Sequence, residues 1–293
     1  MRYRITHRTE YAYAAAVTLC HNRMHLVPRD TPRQTCLSSR VDIDPQPSVV
    51  SERLDFFGNR MHLASIERAH ARLRIEVTSE VGIKTNADRP DPMPGEAWER
   101  VRERMTQDLR PDMLDARQYR LDSPMVTIEP ALFDYAAPSF TPARPLIEAV
   151  HELMRRIHED FQYDPGFTVV STPLDTVLEH RRGVCQDFAH LAVGCLRAMG
   201  LAARYVSGYL ETEPPPGQER LDGADASHAW FAVYDPDQGW LDFDPTNNVV
   251  PMDRHITLAW GRDYSDVTPL RGVITGGGSH HELSVAVDVV RVD

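Results

Sequence analysis

The chain has 293 residues, of which 42% are hydrophobic and 26% charged, with a formal net charge of −11. This is the composition of an ordinary globular protein long enough for two domains. Its acidity excludes nucleic acid or an anionic membrane as the main partner. The N-terminal MRYRITHRTE has no apolar signal-peptide core, and no stretch is long and apolar enough to span a bilayer, so a cytoplasmic protein is expected. Cys20, Cys36, Cys185 and Cys195 show neither CxxC nor disulfide-framework spacing, and reduced thiols are the default.

In chain order, residues 1–85 read as a β-sandwich domain. Tyr3, Ile5, His7, Thr9, Tyr11 and Tyr13 alternate with Arg4, Arg8 and Glu10, and Leu73, Ile75 and Val77 alternate with Arg72, Arg74 and Glu76. Phe57-Gly58-Asn59 is a turn signal between apolar runs. Residues 86–125 open on the breaker cluster Asp88-Arg89-Pro90-Asp91-Pro92-Met93-Pro94-Gly95 and carry only a weak helical pattern, which predicts a connecting segment over the surface.

The remainder, 126–293, forms the second domain. Leu146, Ile147, Val150, Leu153, Met154, Ile157 and Phe161 make an amphipathic helical stripe. A short helix is expected next, with Thr172 as N-cap, Pro173 at its first position and Gly183 as its stop. Phe188, Leu191, Ala192, Cys195, Leu196 and Met199 fall at helical spacing, with Gly200 as terminator. Strands then follow at Arg204–Leu210, Ala229–Tyr234, Trp240–Phe243 and Leu283–Val292. Helices first and an antiparallel sheet afterwards give an α+β fold.

The chemistry centres on Arg182-Gly183-Val184-Cys185-Gln186-Asp187-Phe188-Ala189-His190. This places Cys185 in the first turn of a helix, where unpaired N–H groups and the helix dipole favour a thiolate. A cysteine nucleophile needs an imidazole and a group to orient it. His190 lies about 140° round the helix from Cys185, and nothing near His180 would orient its ring. His228 instead begins a hairpin whose turn is Asp235-Pro236-Asp237-Gln238-Gly239. A loop centred on Pro236 sets His228 opposite Asp244, and a shift of two residues leaves both on the same face. Asp242 has the same parity and competes for the role. Asp222 and Asp225 lack a calcium-loop pattern, and the adjacent His280 and His281 would point to opposite faces of a strand, so no metal is expected.

These stretches, with Arg204-Tyr205-Val206-Ser207-Gly208-Tyr209, His228-Ala229-Trp230 and Phe243-Asp244-Pro245-Thr246-Asn247, resemble the bacterial transglutaminase-like superfamily. Asp55-Phe56-Phe57-Gly58-Asn59 and the tail from Ala259 to Val267 are similar as well, and the likeness extends over nearly the whole chain. The resemblance implies a papain-like core of helices on an antiparallel sheet, preceded by a β-rich region. It also implies Cys185 as nucleophile, His228 as base and Asp244 as orienting acid, with no cofactor. The backbone N–H of Cys185 is a natural oxyanion donor. Tyr163, Gln186 and Trp230 are further candidates for oxyanion or substrate contact. The expected partner is a protein or peptide bearing an amide bond. Hydrolysis by a protease or amidase is the leading expectation, transamidation the alternative, and a non-catalytic peptide-binding protein the reading from another class.

Overall fold

A computed structural model describes residues 1–84, 94–212 and 227–292. Most of the 88–95 breaker cluster, the Pro214–Gly217 stretch, Asp222 and Asp225 lie outside the described residues.

The N-terminal domain is organised by one long strand, β1 (Arg2–Met24), followed by β2 (Gln34–Asp44), β3 (Val49–Leu54), β4 (Arg60–Ile66) and β5 (His70–Ile83). An irregularity between Ala12 and Val17 splits β1 into two halves: the first pairs with β5 and the second with β4. Such a break lets one strand pair with different neighbours along its length, and the strands form a single seven-stranded sheet rather than the two packed sheets of a sandwich. Val17, Cys20 and Met24 of β1, Ala64 and Ile66 of β4, and Leu73, Ile75 and Val77 of β5 close into one buried cluster. The predicted alternation holds: Tyr3, Ile5, His7 and Thr9 are buried, while Arg4, Arg8 and Glu10 face out.

The described part of the segment expected as a surface connection, residues 94–125, instead contributes to the second domain's core. It folds as α1 (Trp98–Gln107) and α2 (Pro111–Arg117). Trp98, Val101, Met105, Met113, Ala116 and Tyr119 join the same apolar cluster as the later helices. Short amphipathic turns among many Arg and Glu residues gave a weak pattern, because only two or three positions per helix are buried. Next come α3 (Pro130–Ala136), α4 (Leu146–Asp160), which carries the expected stripe, and the two-residue β6 (Gln162–Tyr163). Helix α5 (Leu174–His180) has Pro173 rather than Thr172 at its N-cap, and it ends at Arg181, in the left-handed region at φ 54°. Gly183 therefore does not stop the helix. It lies in β7 (Arg182–Gly183), which pairs in parallel with β6.

Helix α6 (Cys185–Ala198) packs on a four-stranded antiparallel sheet. The strands are β8 (Ala203–Leu210), β9 (Ser227–Asp235), β10 (Gly239–Phe243) and β11 (His255–Gly261), in the spatial order β10-β9-β8-β11. One face is apolar: Ala203, Phe231, Val233, Leu241 and Phe243 share a cluster with Leu191, Val193 and Leu196 of α6. The opposite face carries Arg204 and Val206 of β8, His228 and Trp230 of β9, and Asp242 of β10.

After α7 (Tyr264–Val267), the chain returns to the N-terminal domain. Strands β12 (Leu270–Gly276) and β13 (His281–Arg291) both pair with β1. The sequence pattern predicts the last strand as a member of the sheet that follows the helices. The 126–293 domain is therefore not continuous, since its C-terminal segment completes the first sheet. Strand alternation alone carries no information about which partner a strand will take.

The two domains meet around β11. Two side-chain carboxamides of the N-terminal domain cap its outer edge. Gln34 donates to the Thr257 carbonyl and accepts from the Thr257 N–H, both at 2.8 Å. Asn59 donates to the Trp260 carbonyl at 2.8 Å and accepts from the Trp260 N–H at 3.0 Å. A bulge between Thr257 and Ala259 turns residues three apart to the same edge. On one face Tyr3, Ile5, Val287 and Val289 pack with Tyr209, Ile256 and Leu258. On the other, the Arg29 guanidinium lies 3.2 Å from the centre of the Trp260 ring. Among the described residues no helix is long and apolar enough to cross a membrane.

Candidate active site

Cys185 is the first residue of α6, and its helix end is built by Asp187. The Asp187 carboxylate accepts from the Val184 N–H at 2.8 Å and from the Thr168 hydroxyl at 2.7 Å. Burial raises its pKa, and these two hydrogen bonds work in the other direction. Gly183 is needed for this approach, since a Cβ there would sit 2.8 Å from Asp187. The parallel β6–β7 pair brings Tyr163 beside the same turn. Its hydroxyl is pushed up in pKa by burial and by its nearness to Cys185 and Asp187, yet the residue is 52% exposed.

His228 enters from β9. Its Nε2–H donates to Asp244 Oδ2 at 2.7 Å, and the ring is also a hydrogen-bond partner of the Cys185 thiol. A carboxylate only accepts, so Nε2 carries the proton and Nδ1 is left for the thiol. Burial of the ring opposes its charged form, but the bonds to Asp244 and Cys185 outweigh that and raise the pKa to about 10. Gly208, paired with His228 across β8 and β9, cannot carry a side chain: its Cβ would lie 2.3 Å from the Ile256 carbonyl and 2.4 Å from the Trp230 ring.

Asp244 is fully buried and saturated with donors. Oδ1 accepts from the backbone N–H groups of Thr246 and Asn247, at 3.0 and 3.2 Å. Oδ2 accepts from His228, from the Asn247 amide at 2.7 Å and from His255 Nε2–H at 3.0 Å. Burial alone would raise this carboxyl, but the bonds from His228 and His255 outweigh burial and hold it well below the usual carboxylate range. The hairpin register differs by two residues from a loop centred on Pro236, because Asp235 pairs with Gly239. Parity is preserved, and Asp244 remains on the face of His228. The competing Asp242 is engaged elsewhere, in a 2.8 Å ion pair with Arg33.

The other candidates separate clearly. Gln186 reaches away to the Val170 carbonyl at 3.2 Å. Trp230, expected as a substrate contact, is instead fully buried, its ring 6.0 Å from that of His228 and 5.2 Å edge-on to that of His255, so it packs behind the histidines and offers no surface to a substrate. His190 is a core residue whose Nε2 accepts from the Tyr264 N–H at 3.1 Å. His180 bonds the Thr176 carbonyl within its own helix.

Two members of the network escaped the sequence reading: His255, on a strand whose alternating His255-Ile256-Thr257-Leu258 pattern was there to be read, and Asn247, in the turn after Pro245. His228, Asp244 and His255 bring three potential metal-ligand atoms within 4.8 Å of one another. Both imidazole N–H groups point at one carboxylate oxygen, however, so the three are joined by hydrogen bonds around that oxygen rather than facing a common void.

This geometry coincides with clear relationships. Residues 3–82 match the bacterial transglutaminase-like N-terminal region, and residues 134–245 match the transglutaminase-like superfamily. The chain belongs to the transglutaminase-like superfamily. An uncharacterized protein of Mycobacterium tuberculosis is 44% identical over 99% of this chain and 92% of its own length. A protein-glutamine gamma-glutamyltransferase of Pseudomonas aeruginosa is 38% identical over 102 residues, 34% of this chain and 15% of that protein. The crystal structure of a Cytophaga hutchinsonii protein named “putative cysteine protease” superposes with a TM-score of 0.76 at 20% identity, covering 100% of this chain and 91% of that one. The superfamily is one of cysteine-based acyl transfer.

Proposed function

We propose that this protein hydrolyses carboxamides through a thioester on Cys185. The single observation that carries the reading is the continuous hydrogen-bonded run from the Cys185 thiol through His228 to the buried Asp244. In this reaction His228 Nδ1 holds the proton given up by the thiol, and the Sγ thiolate attacks the amide carbon. The oxyanion is met by the backbone N–H of Cys185 and by the Tyr163 hydroxyl. Asp244 keeps the ring in its Nε2–H tautomer and stabilises the imidazolium. His228 then returns the proton to the departing amine or ammonia. The thioester is released by water, from which His228 removes a proton.

Water is favoured as acceptor because the Tyr163 side of the site is open, with that residue 52% exposed, whereas amine transfer needs water kept out. The substrate class is a peptide, isopeptide or side-chain amide. The test offers a glutamine-containing protein together with a tagged primary amine. Cleavage or ammonia release without tag incorporation is expected. Incorporation that outcompetes water would replace hydrolysis by transamidation, and no reaction or Cys185 adduct with any amide would leave a binding protein.

A further inference from the structure

Asp244 Oδ2 serves two imidazoles, only one of which faces the thiol. His255 is buried, at 6% exposure, and donates its Nε2–H to the same oxygen at 3.0 Å, while its Nδ1 has no hydrogen-bond partner among the described residues. Its ring lies 5.9 Å from that of His228 and 5.2 Å from that of Trp230, which fixes its plane by packing. It is the first residue of β11, the strand whose outer edge is gripped by the carboxamides of Gln34 and Asn59. Gln34 bonds Thr257, two residues along from His255. Arg33, its neighbour in sequence, donates to the Pro251 carbonyl at 2.6 Å and to Asp242 at 2.8 Å, so it ties down the chain between Asp244 and His255.

We propose that His255 is a positioning residue for Asp244, and that the β-rich domain acts on the catalytic histidine through it by holding β11 with Gln34. The inference rests on the reading of Cys185, His228 and Asp244 as a catalytic set. A carboxylate held by His228 alone could rotate about its side-chain torsions, and the bond to its partner would weaken as it did. A second imidazole on the same oxygen, anchored to another strand, removes that freedom. The N-terminal domain therefore does more than cover an edge: its amide sets the strand that sets the carboxylate.

The experiment measures the rate at which iodoacetamide alkylates Cys185 near neutral pH in full-length protein, alongside thermal unfolding. The variants are His255→Leu, which keeps bulk and removes the donor, and His255→Gln, whose amide nitrogen takes the place of Nε2. Gln34→Glu joins them, because it puts a carboxylate oxygen against the Thr257 carbonyl. Loss of one hydrogen bond to a charged group predicts about tenfold slower alkylation for His255→Leu and recovery to within about twofold of wild type for His255→Gln. Gln34→Glu should slow alkylation in folded protein by about threefold to tenfold. His228→Ala separates the two readings. If it slows Cys185 while His255→Leu at full folding does not, the positioning role is wrong and the catalytic set stands. If His228→Ala has no effect, the catalytic set itself fails. Equal slowing by His255→Leu and His255→Gln would reduce His255 to a packing role and overturn the proposal.

Discussion

The two faces of the four-stranded sheet are built on different principles. The face toward α6 is a continuous apolar layer, in which Phe231, Val233, Leu241 and Phe243 meet Leu191, Val193 and Leu196. Its energy is spread over many contacts, none of which needs a particular partner. The opposite face holds His228, Asp242, Asp244, His255 and the buried Arg204, whose guanidinium lies 3.7 Å from the centre of the Trp260 ring and 4.3 Å from that of Trp240. Each of these groups costs free energy to bury unless a specific partner meets it. The N-terminal domain provides much of what that face requires, through Arg29, Arg33 and Gln34. Stability is thus distributed on one side and itemised on the other, and two of the three groups proposed to react, His228 and Asp244, sit on the itemised side.

The largest separation between the faces should come from the groups proposed to react. Cys185→Ala is expected to lower kcat by about five orders of magnitude or more, with the thermal midpoint nearly unchanged. Asp244→Asn should lower kcat by about a thousandfold to ten-thousandfold, because an amide in its place no longer enforces the tautomer or the charge of His228. Phe231→Ala tests the opposite face. It should cost about 3–5 kcal/mol in urea unfolding, yet leave Cys185 alkylation in folded protein within about twofold of wild type. Asn59→Ala strips two backbone groups of Trp260 of their partners and should cost about 2–3 kcal/mol by the same measurement.

The smallest expected effect is on pH dependence. The folded pKa of His228 is raised, so its stabilisation is full below the ordinary imidazole value of about 6.5 and fades as the pH climbs toward about 10. Asp244 is depressed, so its share is present above the ordinary carboxylate value of about 3.9 and disappears as the pH falls through its folded value. Both shifts report one ion pair and count once. Unfolding free energy should drop between pH 6 and 9.5, and His228→Gln should flatten that drop.

How much of this was legible follows from the kind of signal each region carries. Cys185 was readable because helical spacing from Phe188 to Met199 marks where the helix begins. The His228–Asp244 relation was readable because parity survives a two-residue error in register. The helices from Trp98 to Arg117 were not, since charged residues on their outer faces mask two or three buried positions each. The return of β12 and β13 to β1 was also hidden, because a strand's sequence sets which face is buried and leaves its neighbour open. Likewise the carboxamides of Gln34 and Asn59 look like ordinary turn residues until β11 is set against them.

The central claim is most directly tested by site-resolved iodoacetamide labelling of all four thiols near neutral pH, followed by peptide mass spectrometry. Burial raises the pKa of Cys20 and Cys36 and pushes that of Cys195 up to about 12. The account predicts that Cys185 reacts far ahead of these three and slows sharply in His228→Ala. Equal reactivity of the four thiols, or a Cys185 rate indifferent to His228, would contradict it.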